Sequence, residues 1–219
     1  MGFIAKDTGG GDFKRVPPGV HIGRCIAIID LGTQEVEWQG DKKFQHKMIL
    51  QWELFGEDEN GEPLTIERDG RTMPLTINKR YTVSLSDKSR LRADLAAWRG
   101  RDFTPEELAQ FDVSKLAGHY CMVNVTTSET NGKTYSNVAN LTPLPAALRN
   151  AKPKGVHDIV LFDIDAPDMK VYANFHEKLR ETIQASMEWK TKGTRRNITE
   201  SASHAFQDIP DEEPADAPF

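Results

Sequence analysis

The sequence predicts a mainly β protein: a five-stranded barrel with a helix between its third and fourth strands, an added C-terminal helix and a disordered acidic tail. Three observations predict it. Apolar stretches of strand length recur through the first 145 residues, and one segment with helical spacing interrupts them after the third. From Gln207 onward the chain carries carboxylates and prolines but no Lys or Arg.

Each element has its own signal. Val20–Leu31 (VHIGRCIAIIDL) is rich in Ile and Val and follows Pro17-Pro18-Gly19, so it reads as a first strand with a punctuated start. Gln45–Phe55 alternates, with Met48, Leu50, Trp52 and Leu54 on one face and Lys47, Ile49, Gln51 and Glu53 on the other: a half-buried second strand. Between them GTQEVEWQGDKKF reads as a loop or hairpin tip. After a polar turn at Glu57–Glu62, Leu75–Leu85 makes a third strand, bulged because neither face is cleanly apolar. Ser86 is placed to cap a helix whose Leu91, Leu95 and Trp98 recur at spacings of four and three and which stops at Gly100. Thr104-Pro105-Glu106-Glu107 is a capping box opening a shorter helix. Gly118–Thr127 and Lys133–Leu144 form a hairpin around Asn131-Gly132. Three strands, a helix and two strands is the order of the oligonucleotide-binding (OB-fold) barrel, whose ligand face lies on strands two and three and on the loops joining one to two and four to five.

Beyond the barrel, Ala146–Gly155 is a connector and Val156–Ile164 a short apolar segment. Asp168 to about Lys190 predicts one helix with the stripe Phe175, Leu179, Ile183, Met187, which packs on the barrel or, in the other use of such a stripe, forms a homo-oligomer interface. The organisation is thus an N-terminal arm (1–15), a barrel domain (16–145), a connector with an amphipathic helix (146–190) and a tail (191–219).

Composition narrows the function. With 38% hydrophobic residues among 219 the chain can fill one core, and no apolar run approaches the ~20 residues that span a bilayer. No signal-peptide pattern opens it, so a cytoplasmic protein without membrane contact is expected. Cys25 and Cys121 lie in apolar stretches and predict reduced, buried thiols. No cofactor or metal is expected: Gly9-Gly10-Gly11 lacks the Lys-Ser/Thr of a phosphate loop, and the six His residues show no ligand spacing. The net charge of −5 equals the five carboxylates of the tail, leaving a neutral body. Nucleic-acid binding therefore has to rest on local patches.

Binding single strands without reading sequence takes cations for phosphates and aromatic faces for bases. The candidates fall where the barrel would place them: Trp38, Lys42, Lys43 and Phe44 between strands one and two, Lys47 on strand two, Lys79, Arg80 and Tyr81 on strand three, and Lys133 with Tyr135 beside the loop between strands four and five. Trp52 and Trp98 lie on apolar stripes and read as core. Tyr81 shares parity with Ile77, Val83 and Leu85, so its ring divides between core and stacking. A rival reading takes Asp158, Asp163, Asp165 and Asp168 as a Mg²⁺ site of a nuclease or recombination enzyme; a loop and a helix cap account for the same residues.

The tip DIPDEEPADAPF (208–219) resembles the acidic tails that close the single-stranded-DNA-binding proteins of bacteria and their phages. The opening stretch MGFIAKDTGGGDFKRVPPGVHIGRCIAIIDLGTQ, with NKRYTVSLSDKSRLRADLAAWRGR and GHYCMVNVTTSETNGKTYSNVANLTPLP, is similar to proteins that phages carry among their replication and recombination genes. These resemblances imply a noncatalytic, sequence-independent single-stranded-DNA-binding protein acting in the host-cell cytoplasm. Its tail would recruit replication or recombination proteins through Asp208, Ile209, Pro210, Asp211, Glu212, Glu213, Asp216, Pro218 and Phe219. An adaptor whose barrel binds no nucleic acid is the third reading.

Overall fold

The computed structural model describes residues 14–38, 40–68 and 70–192. Most of the expected arm, and the tail with its whole docking tip from Asp208 to Phe219, lie outside them. The length of β1 (Gly19–Trp38) departs from the expectation: it pairs antiparallel with β2 (Asp41–Phe55) up to Trp38 and Asp41, so that only two positions separate the strands. The segment expected to be a loop or hairpin tip is therefore mostly paired ribbon. Extra residues at Ile26 and Leu31 interrupt the register on the β1 side and bend that strand, while alternation along β2 stays unbroken.

The polar turn after β2 is followed by an unforeseen hairpin, β3 (Thr65–Arg68) and β4 (Arg71–Pro74), forming a small second sheet. β5 (Thr76–Thr82) then pairs with β2 with no break in register, so the bulge expected in the third strand is absent. Its mixed parity has another cause, a charged residue on the inner face, described below.

Helix α1 (Arg90–Arg99) is capped by Ser89 rather than Ser86 and closes on Gly100 in the left-handed conformation (φ 72°). The capping box of Thr104 and Glu107 opens α2 (Pro105–Ala109) as expected, and a 3-10 turn at Val113–Leu116 leads to β6 (Tyr120–Thr130). β6 and β7 (Lys133–Pro143) form a ribbon whose turn residues Asn131 and Gly132 both have positive φ, 52° and 69°. This is the geometry an Asn-Gly pair favours.

These strands form one six-stranded sheet, in the order β5-β2-β1-β6-β7, with β8 (Val160–Phe162) added in parallel against β1. The expected closed five-stranded barrel is not formed. β5 and β7 approach each other without a hydrogen-bonded ladder, and α1 packs against both. Between Asn124 and Val125 of β6 the register with β7 skips Ala139, and the Ala139 carbonyl accepts from the Arg90 guanidinium. The seam is thus bridged by a helix.

Two cores follow from the two faces of β1. Cys25 and Ile28 join Leu50, Trp52, Leu54, Leu95, Val123 and Leu141 on the inner side. Ala27, Ile29 and Leu31 face the other way, into a second cluster with Phe162, Ile164, Tyr172 and Ile183. Burying a side chain such as Leu50 or Ile183 completely is worth roughly 1.5–3 kcal/mol, so the C-terminal segment is held by its own apolar face.

That segment is not the single helix expected. After the connector, which contains the short α3 (Ala146–Arg149), it divides into α4 (Met169–Ala173), α5 (Glu177–Gln184) and a further helical stretch at 187–192. A spacing of four advances about 40° per step around a 3.6-residue helix, so the stripe could not have stayed on one face. Ile183 is fully buried and Met187 is exposed. The helical stretch also includes Thr191 and Lys192, which were expected to begin the tail; the Lys192 ammonium donates to the Ile164 and Asp165 carbonyls at 2.7 and 2.6 Å.

Candidate nucleic-acid interface

β2 and β5 carry the candidate site on their outer face. Unbroken alternation puts Lys43, Gln45 and Lys47 in the row of Ile49, opposite Thr82 and Arg80 of β5. The Lys47 ammonium donates to Gln45 Oε1 at 2.5 Å and to Thr82 Oγ1 at 2.8 Å. Partial burial, then the neighbouring Arg80 charge, holds Lys47 below the usual lysine range. Beside this pair lies an open pocket of about 360 Å³, lined also by Ser84, Ser86, Lys88, Ser89 and Arg90 at the start of α1. Its walls hold four cations and several hydroxyls, and no carboxylate lines it. Arg90 shares its charge with Asp94 at 3.2 Å; among the described residues Arg80 and Lys88 have no carboxylate partner. Such a concavity offers charge and hydrogen-bond donors to a phosphate, with helix α1 starting at its edge.

The other sequence candidates divide. Lys79 points to the inner face, where its ammonium meets Asp94 Oδ2 at 2.5 Å, and the Tyr81 hydroxyl donates to the same oxygen at 2.9 Å. Tyr81 is 3% exposed, and burial followed by the Asp94 charge pushes its phenol far up. The Lys79 ammonium and the Tyr81 hydroxyl are both claimed by a buried carboxylate on α1, and Tyr81 meets the pocket only as part of its wall. The ribbon also separates residues that the sequence grouped together. Lys42 and Phe44 share a parity with His46 and Met48, opposite to that of Lys43 and Lys47. Trp38 pairs with Asp41 and falls by register in the row of Lys43. Lys42 is joined to Glu35 at 2.5 Å, and that contact raises Lys42 and lowers Glu35. Phe44 is exposed, as are Lys133 and Tyr135 near the turn of the β6–β7 ribbon. The registers place that turn beyond the start of β1 and the β1–β2 turn beyond its end. The two ribbons therefore extend in opposite directions along β1.

Lys88, Arg90 and the serines beside them were missed. The run SLSDKSR carried the signal, three serines and two cations directly after a strand, but it was read only as a helix start.

Two carboxylates of the acidic cluster, Asp163 and Asp168, have backbone tasks. Asp168 caps α4 by accepting from Lys170 N at 2.8 Å, Asp163 accepts from Asp165 N at 2.7 Å, and Asp165 faces Lys192 at 3.6 Å. Among the described residues no group of three or more His, Cys, Asp or Glu side chains is placed to hold a metal ion. Cys25 and Cys121 are free and buried, and burial pushes the Cys25 thiol up to about 12. No helix among the described residues is long and apolar enough to cross a membrane.

A separate buried cluster fixes the connector. Glu53 is fully buried; its carboxylate accepts from Val156 N at 3.1 Å and His157 N at 2.9 Å, and pairs with Arg24 and with His157 Nδ1 at 2.9 Å. This pins residues 156–157 to one end of β2 and sets the limit of the open outer face.

In comparison with known proteins, no family model matches the chain and no curated protein is significantly similar to it.

Proposed function

We propose that the protein binds single-stranded DNA without reading sequence, on the outer face of β2 and β5, as a noncatalytic factor of phage DNA replication or recombination. The observation that carries this reading is the pocket at Lys47, Arg80, Lys88 and Arg90, a concentration of positive charge in a chain whose body is neutral overall. Phosphates would lie against those cations, and Trp38, whose backbone pairs with Asp41, is the proposed stacking residue. The strand order supports the oligonucleotide-binding architecture in an opened form: the first three barrel strands correspond to β1, β2 and β5, the last two to β6 and β7, and α1 sits between the third and fourth. The acidic tip from Asp208 to Phe219 recruits other replication or recombination proteins, a reading that rests on its resemblance to single-stranded-DNA-binding tails.

The test is a titration of the full chain with an unstructured oligonucleotide and with a duplex of equal length, with Mg²⁺ present and the DNA examined afterwards for cleavage. The reading requires tighter binding to the single strand and an intact product. Equal binding to the duplex, or cleavage, would overturn it.

A further inference from the structure

At the opposite end of α1 from the cationic pocket, about 15 Å away along the helix, lies a groove of about 580 Å³. Arg99, Lys115, Arg149 and Lys152 line it, and no carboxylate does. Arg99 is already engaged: it pairs with Glu107 and lies over Phe103 and Phe111, at 4.5 and 5.5 Å from the ring centroids. The other three have no carboxylate partner among the described residues, yet two of them are held in place. Arg149 Nε donates to the Leu144 carbonyl at 3.3 Å, and the Lys152 ammonium lies over the Tyr120 ring at 5.6 Å. Charge is thus fixed at the rim without being neutralised, which lowers the ordering cost of meeting an anion there.

The floor is apolar, made of Phe111, Leu116, Pro143 and Leu144. The rings of the groove already have partners: Phe111 meets Phe103 edge-on at 5.0 Å, Tyr120 lies 6.4 Å from Phe55 as well as under Lys152, and Trp98 is 6% exposed with its indole N–H on the Tyr120 carbonyl at 3.0 Å. Single strands use ring faces for their bases; this groove offers aliphatic surface ringed by cations instead. That combination fits a peptide segment in which carboxylates flank a large aliphatic side chain. We propose that the groove docks such an acidic segment of another protein, with its Leu or Ile on Leu116 and Pro143 and its carboxylates on Lys115, Arg149 and Lys152. Charge complementarity selects this occupant: three unanswered cations and no acid in the groove repel a basic segment, and a purely apolar one would leave the rim unused. The groove shares no residue with the pocket at Lys47, so a docked protein leaves the proposed DNA face open.

Titration of the full chain with a synthetic peptide tests this. The probe carries Asp and Glu on both sides of a central Leu pair, with a fluorescein for anisotropy. Its binding should shift the amide signals of Gly118, His119 and Leu144 and leave those of Arg80 and Lys88 in place. Replacing the Leu pair by Gly, or the acids by their amides, should each weaken binding severalfold. Lys115→Glu/Lys152→Glu, whose two positions are exposed, should do the same with thermal unfolding unchanged. Absence of binding, indifference to the Leu pair or to the acids, or shifts at Arg80 and Lys88 in place of the groove would each overturn the proposal. So would an oligo-dT that shifts the groove amides and displaces the peptide, since the groove would then be part of a nucleic-acid surface. The peptide comparisons use the wild-type chain and do not depend on how the double variant folds. None of them requires the pocket at Arg80 to bind DNA, so failure here is distinct from failure of the DNA-binding reading.

Discussion

Asp94 decides the fate of two residues that looked like part of a binding surface. At 3% exposure it gathers the Lys79 ammonium, the Tyr81 hydroxyl and the Arg90 guanidinium on one carboxylate. Removing the hydroxyl alone, in Tyr81→Phe, should cost about 0.5–1.5 kcal/mol in urea unfolding and leave single-strand affinity unchanged; a large loss of affinity with intact stability would return Tyr81 to the interface. Glu53 makes the second prediction. Burial would push its carboxyl up, but the His157 N–H and ring, the Val156 N–H and Arg24 together hold it below the usual range. A folded value below the unfolded one gives stability that is present above an unfolded pKa of about 4.3 and is lost as pH falls through the folded value. Thermal stability should therefore fall in acid. Glu53→Gln should flatten that dependence and cost about 3 kcal/mol at neutral pH, since it leaves Arg24 without its partner. These roles were illegible in the sequence: Glu53 sits on a polar-looking parity, its partner His157 is 104 positions away, and nothing near Lys79 announces a helix carboxylate behind it.

At the scale of elements, short-range chemistry was legible and pairing reach was not. Alternation placed Met48, Leu50, Trp52 and Leu54 on the inner face, all of them buried, and the Thr104 capping box, the Gly100 stop and the Asn131-Gly132 turn stand where local geometry demands them. Polar strands past the edge of a core carry no burial signal, which is why the outer half of the β1–β2 ribbon read as a loop or hairpin tip and the β3–β4 hairpin was not foreseen. The ribbon register yields a prediction of its own. Trp38 stands in the row of Lys43 and Lys47, and Phe44 in the opposite row. Trp38→Ala should weaken binding to an oligo-dT by the ~1–3 kcal/mol of one stacked base, while Phe44→Ala should change it much less, with unfolding unchanged in both. The reverse order of effects would mean that DNA runs along the other face of the ribbon.

For the whole molecule, charge is separated by location. The body is neutral in sum, yet carboxylates such as Glu53, Asp94 and Glu107 are spent on internal cations, which leaves Arg80 and Lys88 unanswered at one end of α1 and Lys115, Arg149 and Lys152 at the other. Total charge therefore says little here, and the architecture that sorts the charges was legible only in part: the order of five strands and a helix could be read, but the added β8 and the open seam depend on contacts between Ala27–Ile29 and residues 160–162, and between Arg90 and Ala139. The measurement that bears most directly on the central claim is the salt dependence of oligo-dT binding for the wild-type chain and for Lys47→Ala/Arg80→Ala/Lys88→Ala. Each phosphate contact adds about 0.7 to the slope of log affinity against log salt, so the triple variant should bind more weakly and with a slope shallower by about 2. A triple variant with wild-type affinity and slope would contradict the account, and the outer face of β2 and β5 would not be where this protein meets DNA.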